Sequence, residues 1–369
     1  MSTTVVRRTW LTFAIGLLLV VTACGQEAPL IRRGVLGHAA VTHVGGMEPQ
    51  NEVDTDTDID EPGALRSPHL DLQLTGHTVT DEVTAKQATA FGYAGGPVEI
   101  TEGNEFVLAF MAQDGTSSDG VEASVRVEDE TIELDRAPAP GEGVAAVAPE
   151  GADVWLDVTD EGETQSLNLR DGTRGDSIDG YYNAKSSASD LDDYEEKGQA
   201  TAQAGEEFRP ETRSVTLSMT VQEAQRSPWI EDRGWADDGN VWVVVEVGDI
   251  MTDSVWGFDT DEDSHEPIIN WKLDIDELFA LMHGDGKAAE PYGDATLTAD
   301  DSRNPIDAES GDMEFDPSNA TLVFQVPDDT VDAQLRITPE GTLEAKWADA
   351  TGSSYWNDPP AEGDIDIGF

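Results

Sequence analysis

The chain has 369 residues, 38% of them hydrophobic, with 21 basic against 76 acidic residues and a formal net charge of −55. That balance excludes nucleic-acid binding, because no basic stripe exists to displace phosphate counterions, and it disfavours docking on anionic lipid without an anchor. Only six of the basic residues are lysines, and the acids are spread along the whole chain. This is the compositional habit of proteins that work in high salt, where screening relieves self-repulsion.

The first 23 residues have the three parts of an export signal: Arg7 and Arg8, an apolar stretch from Trp10 to Val21, and small residues before a cut. A stretch of about 12 residues is too short to span a bilayer, which takes about 20. Val21, Thr22, Ala23 and Cys24 resemble the lipobox of bacterial lipoproteins, and Cys24 is the sole cysteine. The resemblance implies cleavage between Ala23 and Cys24, a diacylglyceryl group on the Cys24 thiol, and a chain held on the outer face of the cell membrane by its acyl groups. Arg7, Arg8, Thr9, Trp10 and Leu11 also resemble a twin-arginine signal, so general and twin-arginine export both stay open. The processed chain, with 19 basic and 76 acidic residues, would carry −57. With no second cysteine it forms no intramolecular disulfide, so burial alone must hold it together.

Residues 24–67 mix small, Pro and acidic residues with little periodicity and are expected to form a flexible acidic tether. Residues 68–176 are expected to form a first β-sandwich domain, 177–204 a linker, 205–350 a second β-sandwich, and 351–369 an acidic C-terminal tail. An internal repeat supports the division. Ala148 to Gly162 aligns with Val326 to Gly341 across one gap, matching Pro149 with Pro327, Leu156 with Leu335 and Thr159 with Thr338. Upstream, the apolar run Phe106 to Met111 corresponds to Val241 to Val247.

Period-two alternation, as in Val154, Leu156 and Val158 or Val215, Leu217, Met219 and Val221, makes both domains β. In the second domain the pattern predicts strands near 214–222, 241–248, 268–275, 295–298, 321–326, 333–338 and 342–347, enough for a sandwich. One short crossover helix is predicted there, capped by Asp276, running through Leu278, Phe279, Leu281 and Met282, and stopped by Gly284. The fold class is therefore all-β, with two sandwiches in tandem.

Residues 204–349 resemble the DUF4352 group of immunoglobulin-like extracellular domains of Gram-positive lipoproteins, related to a secreted immunogenic protein of mycobacteria. The likeness rests on Gly205 to Val221, Val241 to Val247, the turn Gly284 to Gly293, and Asn319 to Ile337 with its Phe324, Val326, Pro327 and Leu335. A fainter echo covers 69–175, and the acidic insertion Asp259 to Glu266 departs from the pattern. The resemblance implies an immunoglobulin-like fold and an extracytoplasmic address, and it brings no catalytic residues.

Catalytic signatures fail on inspection. Gly115 to Gly120 nearly spells a nucleophile elbow, but Asp119 stands where Gly is required. In Gly284 to Lys287 the phosphate-loop pattern lacks its first Gly, since Leu281 is there, and Ala288 replaces Ser or Thr. The six histidines form no zinc motif. No cofactor is expected. Two acidic runs, Asp54 to Glu61 and Asp259 to Glu266, offer carboxylates to calcium, and Asp259, Asp261 and Asp263 are the candidate ligands. The EF-hand pattern fails there, because Ser264 replaces the turn Gly and Asn270 the bidentate Glu.

Trp242 and Trp271 read as core. Trp229 and Trp235 fall in a polar Pro/Gly segment, where large rings mark either a binding surface or a cover over an open sheet edge. They are the candidate binding residues. The expected role is non-catalytic: binding or structural, for another envelope protein, with a glycan of the envelope as the alternative and a hydrolase third.

Overall fold

The computed structural model describes residues 32–34, 37–43, 48–53, 63–93, 96–189, 191–203, 210–254, 268–273, 275–284, 286–289, 291, 296–298, 318–339, 341–346 and 351–369. Ala23, Cys24, the run 54–61 and the candidate calcium ligands Asp259, Asp261 and Asp263 lie outside them.

The described chain is almost all strand, folded into two β-sandwich units. In the first, one sheet has the order Ala39–His43, Glu142–Pro149, Asn104–Met111, Leu70–Thr80, Asn51–Glu52, every neighbour antiparallel. The facing sheet runs Glu130–Glu133, Glu122–Val127, Val154–Asp160, Glu163–Asn168. Leu72, Leu74, Val107 and Val144 from one meet Val125, Leu156, Val158 and Leu167 from the other. Each such side chain, fully buried, stabilises the fold by about 1.5–3 kcal/mol.

The run from Phe106 to Met111 is apolar without alternation because both of its faces are covered. Val107, Ala109 and Met111 face the inter-sheet core, while Phe106, Leu108 and Phe110 pack under the Ala85–Ala90 helix with Val83, Ala88 and Phe91. That helix starts at a reciprocal capping box between Thr84 and Gln87.

The second unit repeats this plan. Glu211–Ser227, Asn240–Ser254 and Ser318–Pro327 lie side by side as Leu70–Thr80, Asn104–Met111 and Glu142–Pro149 do. In each unit the last of these strands ends in a proline, Pro149 or Pro327, and the chain turns into the opposite sheet as Val154–Asp160 or Asp332–Ile337. There each sits second from the edge, beside a hairpin on one side and the final strand of its unit on the other. The aligned Leu156 and Leu335 are both completely buried. All seven strands read from the sequence are present, with Glu211–Ser227 and Asn240–Ser254 longer than their patterns suggested.

Three expectations about connecting segments are corrected. The tether assigned to 24–67 contributes Ala39–His43, Asn51–Glu52 and Ala64–Ser67 to the first unit, with Ala64 and Leu65 buried. Short edge strands satisfy their backbone on one side only and need little apolar sequence to do so.

The linker assigned to 177–204 contains Ser187–Ser189 and the 11-residue strand Asp193–Gln203 of the second unit's large sheet. Its small residues looked like linker composition but serve close packing: a Cβ at Gly198 would stand 2.6 Å from Pro360 and 2.8 Å from the Asp358 carbonyl. The tail assigned to 351–369 forms Thr351–Asp358 and Gly363–Gly368, burying Ile365, Ile367 and Phe369 between exposed acids.

The predicted helix from Asp276 to Gly284 is also corrected. Only Ile275–Leu278 makes one turn, and Phe279–His283 is a strand paired with Asp332–Ile337. Phe279 and Leu281 fit a period of two as well as one of 3.6, and the ladder with a buried neighbour decides between them.

Candidate functional site

The two units meet where the turns of the first face the loop after Glu211–Ser227 in the second. From the first unit, Ser67 ends the strand Ala64–Ser67 and His69 lies in the turn before Leu70–Thr80. Asp160, Glu161 and Gly162 form the tight turn between Val154–Asp160 and Glu163–Asn168. Glu161 (φ 49°) and Gly162 (φ 86°) are both left-handed, the two-residue geometry that matches strand twist in a hairpin. The short 3₁₀ turn Asp179–Tyr181 and Tyr182 link the units.

Asp160 is 4% exposed and saturated with donors. One oxygen accepts from Ser67 Oγ at 2.6 Å and from the His69 backbone N–H at 2.7 Å; the other faces His69 Nδ1 at 2.9 Å. The hydrogen bond to Asp160 raises the His69 pKa above its ordinary value, against the opposing effect of burial. Burial alone would raise Asp160, but the Ser67 and His69 donors outweigh it and hold the carboxyl below its usual range.

His69, Asp160 and Glu161 could present ligand atoms to a cation within 4.8 Å of one another. Both Asp160 oxygens are already engaged by Ser67 and His69, and the raised His69 pKa favours the imidazolium that pairs with Asp160.

Trp229 and Trp235 pair with each other across the ribbon Trp229–Ile230/Gly234–Trp235. Both are half-buried. The Trp229 ring meets His69 edge-on with centroids 5.1 Å apart, and Trp235 Nε1 donates to the Glu161 carbonyl at 2.9 Å. The two candidate binding residues are thus engaged across the junction, clasping the first unit, and are not free platforms for a partner. Trp242, expected in the core, is buried and donates Nε1 to the Gly234 carbonyl at 3.0 Å.

Deeper in the junction, Gln165 accepts from the Tyr182 hydroxyl at 3.3 Å and from the Ile178 N–H at 3.2 Å, while the Tyr182 oxygen accepts from the Arg66 N–H at 2.9 Å. Burial raises the Tyr182 pKa, so the phenol stays a neutral donor. Arg174 lies over the same ring, 4.1 Å from its centre.

Arg226, 3% exposed, donates Nη1 to the Gly180 carbonyl at 2.5 Å and Nη2 to the Asp328 carbonyl. Burial lowers its pKa from the usual value. Gly180 must be glycine for this approach, since a Cβ would stand 2.7 Å from Val241 and 2.8 Å from Pro228.

Beside these residues opens a cleft of about 520 Å³ lined by Arg66, Asp71, Tyr181, Lys185 and Arg226, with hydroxyls from Ser67, Thr116, Ser186 and Ser187. The sequence reading passed over all of its charged residues. A signal exists for Arg226: beyond Val221 the strand is irregular in register, after which Ala224 and Arg226 take the inward positions. An arginine on the core-facing phase of a strand is that signal, and the bulge conceals it by shifting the phase.

The fold and junction define the class as a two-domain β-sandwich protein with a polar, charged inter-domain cleft. The chain matches no protein-family model, no curated protein and no solved structure.

Proposed function

We propose that the protein is an exported, lipid-anchored, non-catalytic binding module on the outer face of the cell membrane, and that the cleft between its two sandwiches is the contact face for another envelope protein. The export signal and Cys24 supply the address, and the likeness to DUF4352 domains is in keeping with the tandem sandwich. The observation that carries the binding reading is the junction cleft, where cationic side chains gather on an otherwise acidic molecule.

The glycan reading is favoured by one feature, the Tyr181 ring among the cleft hydroxyls. The hydrolase reading has less to stand on at this site. Asp160, held ionised by three donors, is a poor general acid.

The test places a photo-cross-linking residue at Ser186, exposed in the cleft, or at Tyr355, 51% exposed on Thr351–Asp358, in intact cells. One envelope protein captured from position 186 and not from 355 is expected, and equal capture from both positions refutes the reading. In the same cells, Cys24→Ala should leave an uncut precursor that takes up no labelled fatty acid; normal labelling removes the anchor.

A further inference from the structure

Basic residues are scarce in this chain, 21 against 76 acids, so three in one cleft call for a physical reason. Arg66, Lys185 and Arg226 line the junction cleft, and Asp71 is the one carboxylate residue in its lining. The lining therefore carries two net positive charges on a chain of net −55.

Each cation has bonding capacity unspent inside the protein. Arg66 Nε stands 3.6 Å from Asp71, beyond hydrogen-bonding length, and its Nη1 reaches the Tyr181 carbonyl only at 3.5 Å. Lys185 is exposed and makes no ion pair or hydrogen bond among the described residues. Arg226 is the most unusual of the three. Two of its nitrogens go to neutral carbonyls and its buried Nε has no partner, while the Asp328 and Asp329 carboxylates act on it only at longer range.

A guanidinium kept this far from water without a carboxylate in contact carries a desolvation cost that two hydrogen bonds to neutral carbonyls offset only in part. Its charge is explained if it sets the potential of the cleft beside it. The hydroxyls of Thr116, Ser186 and Ser187 add neutral donors of the kind that complete an oxyanion's hydrogen bonds.

We propose that this cleft is a carboxylate seat, in which Lys185 and Arg66 contact a carboxylate group of the ligand and Arg226 supplies the positive floor. The proposal rests on the reading of the junction as the binding face. It goes further by naming the chemistry recognised, which a protein partner would present on a Glu, Asp or chain end and a glycan on a uronic acid.

The experiment is a titration of the full chain in detergent, at fixed ionic strength, with an N-acetylated glutamyl peptide, the matching glutaminyl peptide, and glucuronate. Saturable binding of the glutamyl peptide or of glucuronate is expected, with the glutaminyl peptide inert; the first supports a protein source, the second a glycan. Lys185→Ala, on an exposed side chain that the fold does not need, should weaken binding about tenfold, the scale of one charge-assisted contact. Asp71→Asn should tighten it several-fold by removing the competing carboxylate. Equal binding of both peptides, no saturable binding, or insensitivity to both substitutions overturns the seat. Should position 186 still capture a partner in cells while no carboxylate probe binds, the binding-module reading stands and this inference alone fails.

Discussion

Replacing Asp160 by Asn should remove a pH-dependent part of the stability of the junction. Folding raises the His69 pKa and lowers that of Asp160, and each shift has a definite sign. A raised His contributes stability that is complete below its unfolded value of 6.5 and is lost as pH rises through the higher folded value. A lowered Asp contributes stability that is present above its unfolded value of 3.8 and is lost as pH falls through the lower folded value. The pair is therefore worth most between those two unfolded values.

Hydrogen bonds to charged groups contribute about 1.5–3 kcal/mol, but the His69 side chain is 39% exposed, and solvent screening brings the ionic part down to about 1 kcal/mol. Glu161, 3.8 Å from the ring, and Glu231 also favour the imidazolium and keep a fraction of the effect in the variant. His77 and His283, whose pKa values burial lowers, push stability the other way with pH, so the measurement must be a difference. Urea unfolding of wild type and Asp160→Asn from pH 5 to 9, followed by tryptophan fluorescence, should show a gap of about 1 kcal/mol or more at pH 5 to 6 that narrows above neutrality. A gap constant across that range would refute the ion pair as its origin.

Gly180→Ala should destabilise the chain by about 1–3 kcal/mol, because the added Cβ has no room between Val241 and Pro228; an unchanged melting temperature would show that these two side chains do not close on the turn. The full chain should melt higher in molar KCl than in dilute buffer, since salt screens the repulsion of a net −55, and a flat melting temperature across salt would remove the high-salt reading of its composition.

Much of the fold was legible because a half-buried strand writes itself into sequence as alternation. Val215, Leu217, Met219 and Val221 are all buried, and the repeat that aligned Leu156 with Leu335 found two strands with the same place in the same sheet plan. Where burial is shallow or supplied by small residues, the alternation fades. Ala200 and Ala202 are completely buried in Asp193–Gln203, yet their segment reads as a linker, and Gly198 is there because Pro360 comes too close for a side chain.

The site was the least legible part. Apart from Arg66 and His69, which share one turn, Arg66, Asp160, Lys185 and Arg226 are far apart in the chain, and nothing local to any of them states that the others are near. The tryptophans were noticed for their size and context, but their contacts are with His69 and Glu161 on the other unit. By itself, the sequence determined the β class, the matching strand pattern of the two units and the acidic composition, since each depends on residue type and spacing along one strand or on a simple sum of charge. Only the tertiary structure decided where the units end, which face of the ribbon clasps the junction, and which few cations share a cleft, because those depend on distances between segments brought together by folding.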